Sequence, residues 1–342
     1  MFALLVAGLS SHIFAVGVSD VGARSNESVC GPGSIGLINS ASGQWIKSTC
    51  MSVDFADDVL TSTTLDSGEV LVYVTPITFD SFLARIDFAT RRIAKFIVGG
   101  SQGDLRCLPD GSVCYGVTPG DGSTPTQLIA VNATTGDSRA AMALRDYDGY
   151  SIDGSALDPT NLRFHAVLVG KPHSHRGADA EAAEWQRAPR HNCGRRPRGC
   201  PVEHPGREAA SNQWLVTVDL VRLAVTHEVP VSGYLMGPFS VSTRYGLATF
   251  GSDAYDGLTS VDFTDGAQVP LVEGGFGTIM QYSAAFSSTS AFAVNVYPQP
   301  ARFFAIDLAA AATPAVTTNA TAASGAHALC ASFEGRAGAS FV

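Results

Sequence analysis

Residues 83–93 read LARIDFATRRI, and residues 128–138 read LIAVNATTGDS. In both, apolar residues alternate up to an Asp or Asn, a short turn follows, and a second β-prone run begins. Alternation with a period of two describes a strand with one buried face. The side chains of Asp87 and Asn132 are placed to accept hydrogen bonds from backbone N–H groups just downstream. Gly136 supplies a residue that adopts positive φ without steric cost. The phrase is therefore a β-hairpin, and its acidic residue reads as a turn-former rather than a catalyst.

The phrase recurs as IGLINSASGQW (35–45), LVTVDLVRLAV (215–225), LTSVDFTDGAQ (258–268) and FFAIDLAAAAT (303–313). The anchors are Asn39, Asp87, Asn132, Asp219, Asp262 and Asp307, and Gly43 and Gly266 repeat the glycine of the turn. Successive anchors lie 48, 45, 87, 43 and 45 residues apart. A second hairpin precedes each later anchor, in TLDSGEVLVYV, CLPDGSVCYGV, ALDPTNLRFHAVLV, SVSTRYGLATF and AFSSTSAFAVNV. Each unit is thus four short strands, inner hairpin first, with no helical stretch between units.

The gap of 87 contains a foreign segment. Residues 171–212 hold no Ile, Leu, Phe, Tyr, Thr or Met, and removing these 42 residues restores a spacing of 45. Such a segment lacks the apolar surface to offset its ordering entropy. It falls in the connection between the second and third strands of its unit. Three readings compete: a disordered surface loop, a gene-model artefact with Arg, Pro, Gly and Ala bias, or a metal site built from His173, His175, His191, Cys193, Cys200 and His204. The spacing of the two cysteines departs from that of zinc sites, which argues against the third. Residues 171–212 are therefore expected to be disordered or artefactual.

The ends complete the count. Asn39 has only an outer hairpin, and the C-terminal HALCASFEGRAGASFV offers an inner one. Joined, they make a sixth unit and remove the open sheet edges. With its four-stranded units at this period, the chain resembles the six-bladed β-propellers, with repeats similar to the YVTN and quinoprotein types. The resemblance implies an all-β fold of four-stranded antiparallel blades, its ring closed by N- and C-terminal strands in one blade. The chain has no YWTD box, WD dipeptide, kelch double glycine or sialidase box, so the resemblance carries over no catalytic residue.

Residues 1–23 read as a signal peptide, with an apolar core and Val21-Gly22-Ala23 suited to cleavage after Ala23. The mature domain is then 24–342, and His12 leaves with the leader. The competing reading is an uncleaved anchor that tethers the protein, although Ser10, Ser11 and His12 interrupt its apolar run. The sequons at Asn26, Asn132 and Asn319 are glycosylation candidates, and seven cysteines suit an oxidising route. A two-residue turn at Asp110-Gly111 places Cys107 opposite Cys114 and makes a cross-strand disulfide geometrically feasible. Cys30, Cys50 and Cys330 fall in the closing unit, where a bridge among them would staple the ring.

The net charge of −9 argues against nucleic-acid binding, which calls for a basic face. Acidic residues concentrate in the connections between units: Asp54, Asp57, Asp58, Asp104, Asp146, Asp148 and Asp153, with Asp80, Asp121, Asp253 and Asp256 in connections sharing that face. They form either a solvated loop face or a binding rim, for which calcium is the fitting cation. No Gly-x-Ser-x-Gly elbow, His-Glu-x-x-His pair or phosphate loop is present. The sequence therefore points to a secreted, monomeric binding scaffold for an extracellular protein or glycan, without a membrane span in the mature chain. An extracellular propeller hydrolase or lactonase with a carboxylate-held divalent metal is the alternative, and a purely structural extracellular protein is the third reading.

Overall fold

The strand Val70–Val74, VLVYV, is buried at every position. Its alternate residues enter different cores: Val70, Val72 and Val74 pack with Phe14, Ile35 and Phe55, whereas Leu71 and Tyr73 pack with Cys107, Cys114 and Val131. A strand covered on both faces lies inside a stack of sheets, and that stacking organises the molecule.

The structure, a computed structural model, describes residues 12–17, 30, 33–40, 42, 44–76, 80–99, 104–120, 123–170, 213–231, 235, 239–242, 246–249, 257–273, 278–287, 290–297, 303–307, 315–319 and 326–333. The segment 171–212 lies outside them, as do Gly43, Asn26, Asp121, Asp253 and Asp256.

Strands near the N-terminus are β1 (His12–Gly17), β2 (Ser34–Asn39) and β3 (Met51–Ser52). Five antiparallel meanders follow. The first blade is β4 (Val59–Thr64), β5 (Val70–Val74), β6 (Phe82–Asp87) and β7 (Arg92–Ile97). The second is β8 (Leu105–Cys107), β9 (Val113–Thr118), β10 (Gln127–Asn132) and β11 (Ser138–Ala143). The third is β12 (Ser151–Asp158), β13 (Arg163–Val169), β14 (Gln213–Asp219) and β15 (Ala224–Pro230). The fourth is β16 (Phe239–Ser242), β17 (Gly246–Thr249), β18 (Gly257–Val261) and β19 (Gln268–Glu273). The fifth is β20 (Thr278–Ser287), β21 (Ser290–Tyr297), β22 (Phe303–Asp307) and β23 (Ala315–Asn319), and β24 (Ala326–Phe333) ends the chain.

The first strands of the blades stand side by side, β4 by β8, β8 by β12 and β12 by β16. On the far side β24 pairs in parallel with both β20 and β4. Separate hydrophobic cores fill the gaps between successive blades: Leu157, Phe164 and Val218 with Val117 and Leu128; Leu215 and Val229 with Phe239 and Val261; Leu258 with Ala293 and Phe304. Full burial of each large apolar side chain is worth about 1.5–3 kcal/mol. This is a β-propeller of antiparallel sheets.

The closing region departs from expectation. Among the described residues there are five contiguous four-stranded meanders, against six expected units. The remaining strands pair in the order β24, β1, β2, β3, all antiparallel. The C-terminal tract supplies one described strand rather than a hairpin, and β1, from within the expected leader, takes the place of the second. Ile13, Phe14 and Ala15 are fully buried there. Apolar character that reads as a leader in isolation is here what a strand covered on both faces requires.

Two disulfides are formed among the described residues. Cys107 bonds Cys114 across directly opposed positions of β8 and β9, as expected from the Asp110-Gly111 turn. Cys30 bonds Cys50, so this bridge lies within the N-terminal part of the closing region and does not join the two chain ends.

Candidate functional site

The anchors act as turn-formers. Asp87 Oδ1 accepts from the N–H groups of Ala89 and Thr90, Asn132 Oδ1 from Thr134 and Thr135, and Asp219 Oδ1 from Val221 and Arg222. Asp262 Oδ1 accepts from Thr264 N–H. The Thr90 and Thr264 hydroxyls, which also donate to Asp87 and Asp262, together with these backbone bonds hold those two carboxyls below the usual carboxylate range, and for Asp219 the Arg222 N–H leads. None is positioned for proton transfer.

The seven acids expected to form a binding rim sit on several different elements. Asp54 is exposed and pairs with Lys95 at 3.0 Å, and the hydrogen bond and charge of that ammonium lower its pKa. Lys95 also stands 4.7 Å from the Phe55 ring centroid and 4.9 Å from that of Phe82. Asp57 and Asp58 belong to a single 3-10 turn before β4. Asp146 is exposed on a second such turn, and Asp148 Oδ1 accepts from the Thr126 N–H at 2.7 Å. Asp153 lies inside β12 rather than in a connection and accepts from Gln213 Nε2 at 2.6 Å. Among the described residues, no three His, Cys, Asp or Glu side chains gather to hold a metal ion.

Asp104 anchors a polar seam where the first strands of the second and third blades meet. Its Oδ2 accepts from Arg106 Nη2 at 3.1 Å, from Ser155 N–H at 2.9 Å and from Ser155 Oγ at 2.8 Å. Arg106 Nε completes the cluster by donating to Ser155 Oγ at 3.4 Å. Seams continue on either side: Thr61 Oγ1 donates to the Leu105 carbonyl at 2.7 Å. Gln213, fully buried, donates to the Leu235 carbonyl and accepts from the Leu235 N–H. Buried polar groups are tolerated when paired in this way. The seam stitches neighbouring blades together, and the one sequence signal for it is Arg106, a charge between Leu105 and Cys107 in a strand that otherwise reads as apolar.

Ser155 and His165 do not form a nucleophilic pair. Ser155 Oγ donates to Asp104, whereas His165 Nδ1 faces Thr217 Oγ1 at 2.9 Å. The imidazole is 2 % exposed and stacks on Phe263 of the fourth blade, with centroids 4.3 Å apart. Burial lowers its pKa to about 4, so the ring is neutral at physiological pH. Its role is packing between blades.

Asn132 presents its sequon on an exposed turn, and Asn319 ends β23. Asp80 lies between β5 and β6 and is exposed. No helix among the described residues is long and apolar enough to cross a membrane.

No protein-family model matches the chain, and no characterised protein matches it by sequence. Solved structures do resemble it. TolB from Acinetobacter baumannii superposes with a TM-score of 0.55 at 11 % identity, over 90 % of this chain. The chain spans 65 % of the length of that protein. A putative TolB from Agrobacterium tumefaciens gives a TM-score of 0.51 at 12 % identity, over 84 % of this chain and 87 % of its own. A chain of a nidogen/laminin complex gives 0.50 at 10 % identity, over 87 % and 89 %. At these identities the likeness concerns the propeller fold.

Proposed function

We propose that the chain is an exported β-propeller that serves as a binding scaffold for a protein or glycan, with the face of inter-blade connections as a contact surface. The carrying observation is that, among the described residues, Asp54 pairs with Lys95, Asp148 accepts from the Thr126 N–H, Asp153 accepts from Gln213, and no three acidic side chains gather to hold a metal ion. A metal-dependent hydrolase or lactonase needs converging ligands, so this arrangement supports binding over that chemistry. Elemental analysis of protein purified without chelators tests the choice. Substoichiometric divalent metal is the expected result, and one tightly bound ion per chain would overturn it.

Two finer points belong to this reading. The strands β24, β1, β2 and β3, with Trp45 bridged to Ile38, act as a sixth blade that shares both chain ends. Export is supported by the disulfides Cys30–Cys50 and Cys107–Cys114, which persist in oxidising compartments. Leader cleavage after Ala23 and strand β1 compete for the same residues, because cleavage there removes the partner of both β24 and β2. N-terminal sequencing of the exported protein decides between them. A mature N-terminus before His12 keeps the sixth blade intact, and one at Arg24 removes it.

A further inference from the structure

The residue four places after each anchor has positive φ in every third-to-fourth-strand turn described: Arg91 at 57°, Gly136 at 80°, Leu223 at 51° and Gly266 at 71°. The first-to-second-strand turn of the third blade has the same form, with Leu162 at 50° four places after Asp158. In this left-handed region glycine is the usual occupant, because a β-carbon crowds the neighbouring carbonyl oxygen. In each turn the anchor's Oδ1 accepts from backbone N–H groups just downstream. One backbone plan thus recurs, and the turns differ in what they present outward. In the first blade Arg91 Nη1 donates to the Ser48 carbonyl at 3.0 Å and Nη2 to the Cys50 carbonyl at 2.8 Å, latching the closing region. In the third, Leu162, Val221 and Leu223 are exposed. In the second, the anchor itself is an amide.

The fourth blade shows what that amide adds. Asn132-Ala133-Thr134 and Asp262-Phe263-Thr264 occupy equivalent places. Asn132 Oδ1 accepts from the Thr134 N–H at 2.8 Å and from its hydroxyl at 2.7 Å, and Asp262 Oδ1 accepts from the same two groups of Thr264. The turn therefore uses the oxygen, and a carboxylate supplies it as well as an amide. At Asn132 this leaves a nitrogen to spare. Every side-chain hydrogen bond of Asn132 among the described residues is made by Oδ1, so Nδ2 keeps both protons. Ala133 is fully buried, whereas Asn132, Thr134 and Thr135 are exposed. The same three residues, Asn132 to Thr134, form a sequon, a surface acceptor for N-linked sugar. Of the other two sequons, Asn26 lies outside the described residues, as does Thr321, the hydroxyl residue that serves Asn319.

We propose that Asn132 is an N-glycan attachment site, with Nδ2 as the acceptor atom and a lipid-pyrophosphate-linked oligosaccharide as the donor. A bond forms between Nδ2 and the anomeric carbon of the oligosaccharide. The bond from that carbon to the pyrophosphate oxygen breaks, its electron pair leaves with the pyrophosphate, and Nδ2 gives up one proton. Oδ1 takes no part, so the anchor goes on accepting from Thr134 and Thr135 after the sugar is in place. The sugar stands on the hairpin-turn face, opposite the inter-blade connections, and leaves the proposed contact surface open. This inference rests on the reading of the chain as exported, because the donor is met along that route.

The test expresses the full chain in a eukaryotic secretory cell line in two forms, one with its own N-terminus and one behind an added cleavable leader. Secreted protein is treated with a peptide-N-glycosidase in heavy-oxygen water, which converts a glycosylated Asn to a labelled Asp, and the peptide holding Asn132 is read by mass spectrometry. Label at Asn132 is expected in both forms. Label only behind the added leader would overturn the export reading and uphold the acceptor site. Secreted protein without label at Asn132 would overturn the proposal. Asn132→Asp, which places the fourth blade's anchor in the second, is expected to lose the sugar while the melting temperature moves by no more than about 2 °C. A larger fall would show that Nδ2 serves the turn and is not spare, and would sink the proposal. Thr134→Ala, which keeps the backbone bond to the anchor, is expected to lose the label, and Thr134→Ser to retain it. Label that persists in Thr134→Ala would count against the site in the same way.

Discussion

The second and third blades build their outer hairpin turns on the same backbone plan yet fill one position differently. In the second blade a β-carbon on Gly136 would overlap the Ile97 carbonyl oxygen of the blade before it. Gly266 in the fourth blade is in the same situation, where a β-carbon would overlap the Pro230 carbonyl oxygen. Glycine is required there twice over, by φ and by the close approach of a neighbouring strand. In the third blade the equivalent Leu223 is partly exposed, so room exists for a side chain and only φ opposes it. The anchor's hydrogen bonds set the shape of the turn, and what lies over the turn sets which residue completes it.

The strongest way to break this comparison is Gly136→Ala. Left-handed strain plus overlap with a fixed backbone carbonyl predicts a loss of about 3–5 kcal/mol, read as a drop in denaturation midpoint. Leu223→Ala, by contrast, keeps the strain that is already present and removes a half-exposed side chain. If the two variants lost similar stability, the distinction between the turns would collapse.

Acid sharpens the comparison at the seam between the leucine turns and the glycine turn of the fourth blade, where His165 stacks on Phe263. Burial depresses the folded-state pKa of His165 from 6.5 to about 4. Its contribution is therefore complete above pH 6.5 and is lost progressively as the pH falls toward 4, by on the order of 3 kcal/mol. Urea midpoints between pH 7 and 4 should fall more steeply in wild type than in His165→Gln, and parallel slopes would refute the assignment.

Arg91→Ala removes two hydrogen bonds to backbone carbonyls but keeps a positive-φ residue with a β-carbon. A loss of about 1 kcal/mol is expected, with faster reduction of Cys30–Cys50 as the latch to Ser48 and Cys50 is released. The smallest effect belongs to Leu162→Asn, whose stability should change by no more than about 1 kcal/mol, in the stabilising direction. A clear loss would show that Leu162 packs for folding.

Much of the fold was legible because it is written locally. Apolar alternation, a side-chain acceptor at the anchor and glycine four places on together specify a hairpin within eleven residues, as LIAVNATTGDS shows. The bridge Cys107–Cys114 was legible for the same reason, since a turn at Asp110-Gly111 fixes the register of its own flanks. The site was far less legible. The acids from Asp54 to Asp153 share a face in sequence order, but their partners lie on other elements, Lys95 for Asp54 and Gln213 for Asp153.

Sequence alone determined the repeating hairpins and their order within a blade, and placed Cys107 opposite Cys114 so that a bridge was feasible, because each depends on contacts a few residues apart. Only the tertiary structure assigned His12–Gly17 to the closing sheet, joined Asp104 to Ser155 across two blades, and left Leu162 and Leu223 uncovered. Ring closure brings distant segments together, and neither the burial of a strand nor the exposure of a turn is defined until those neighbours are in place.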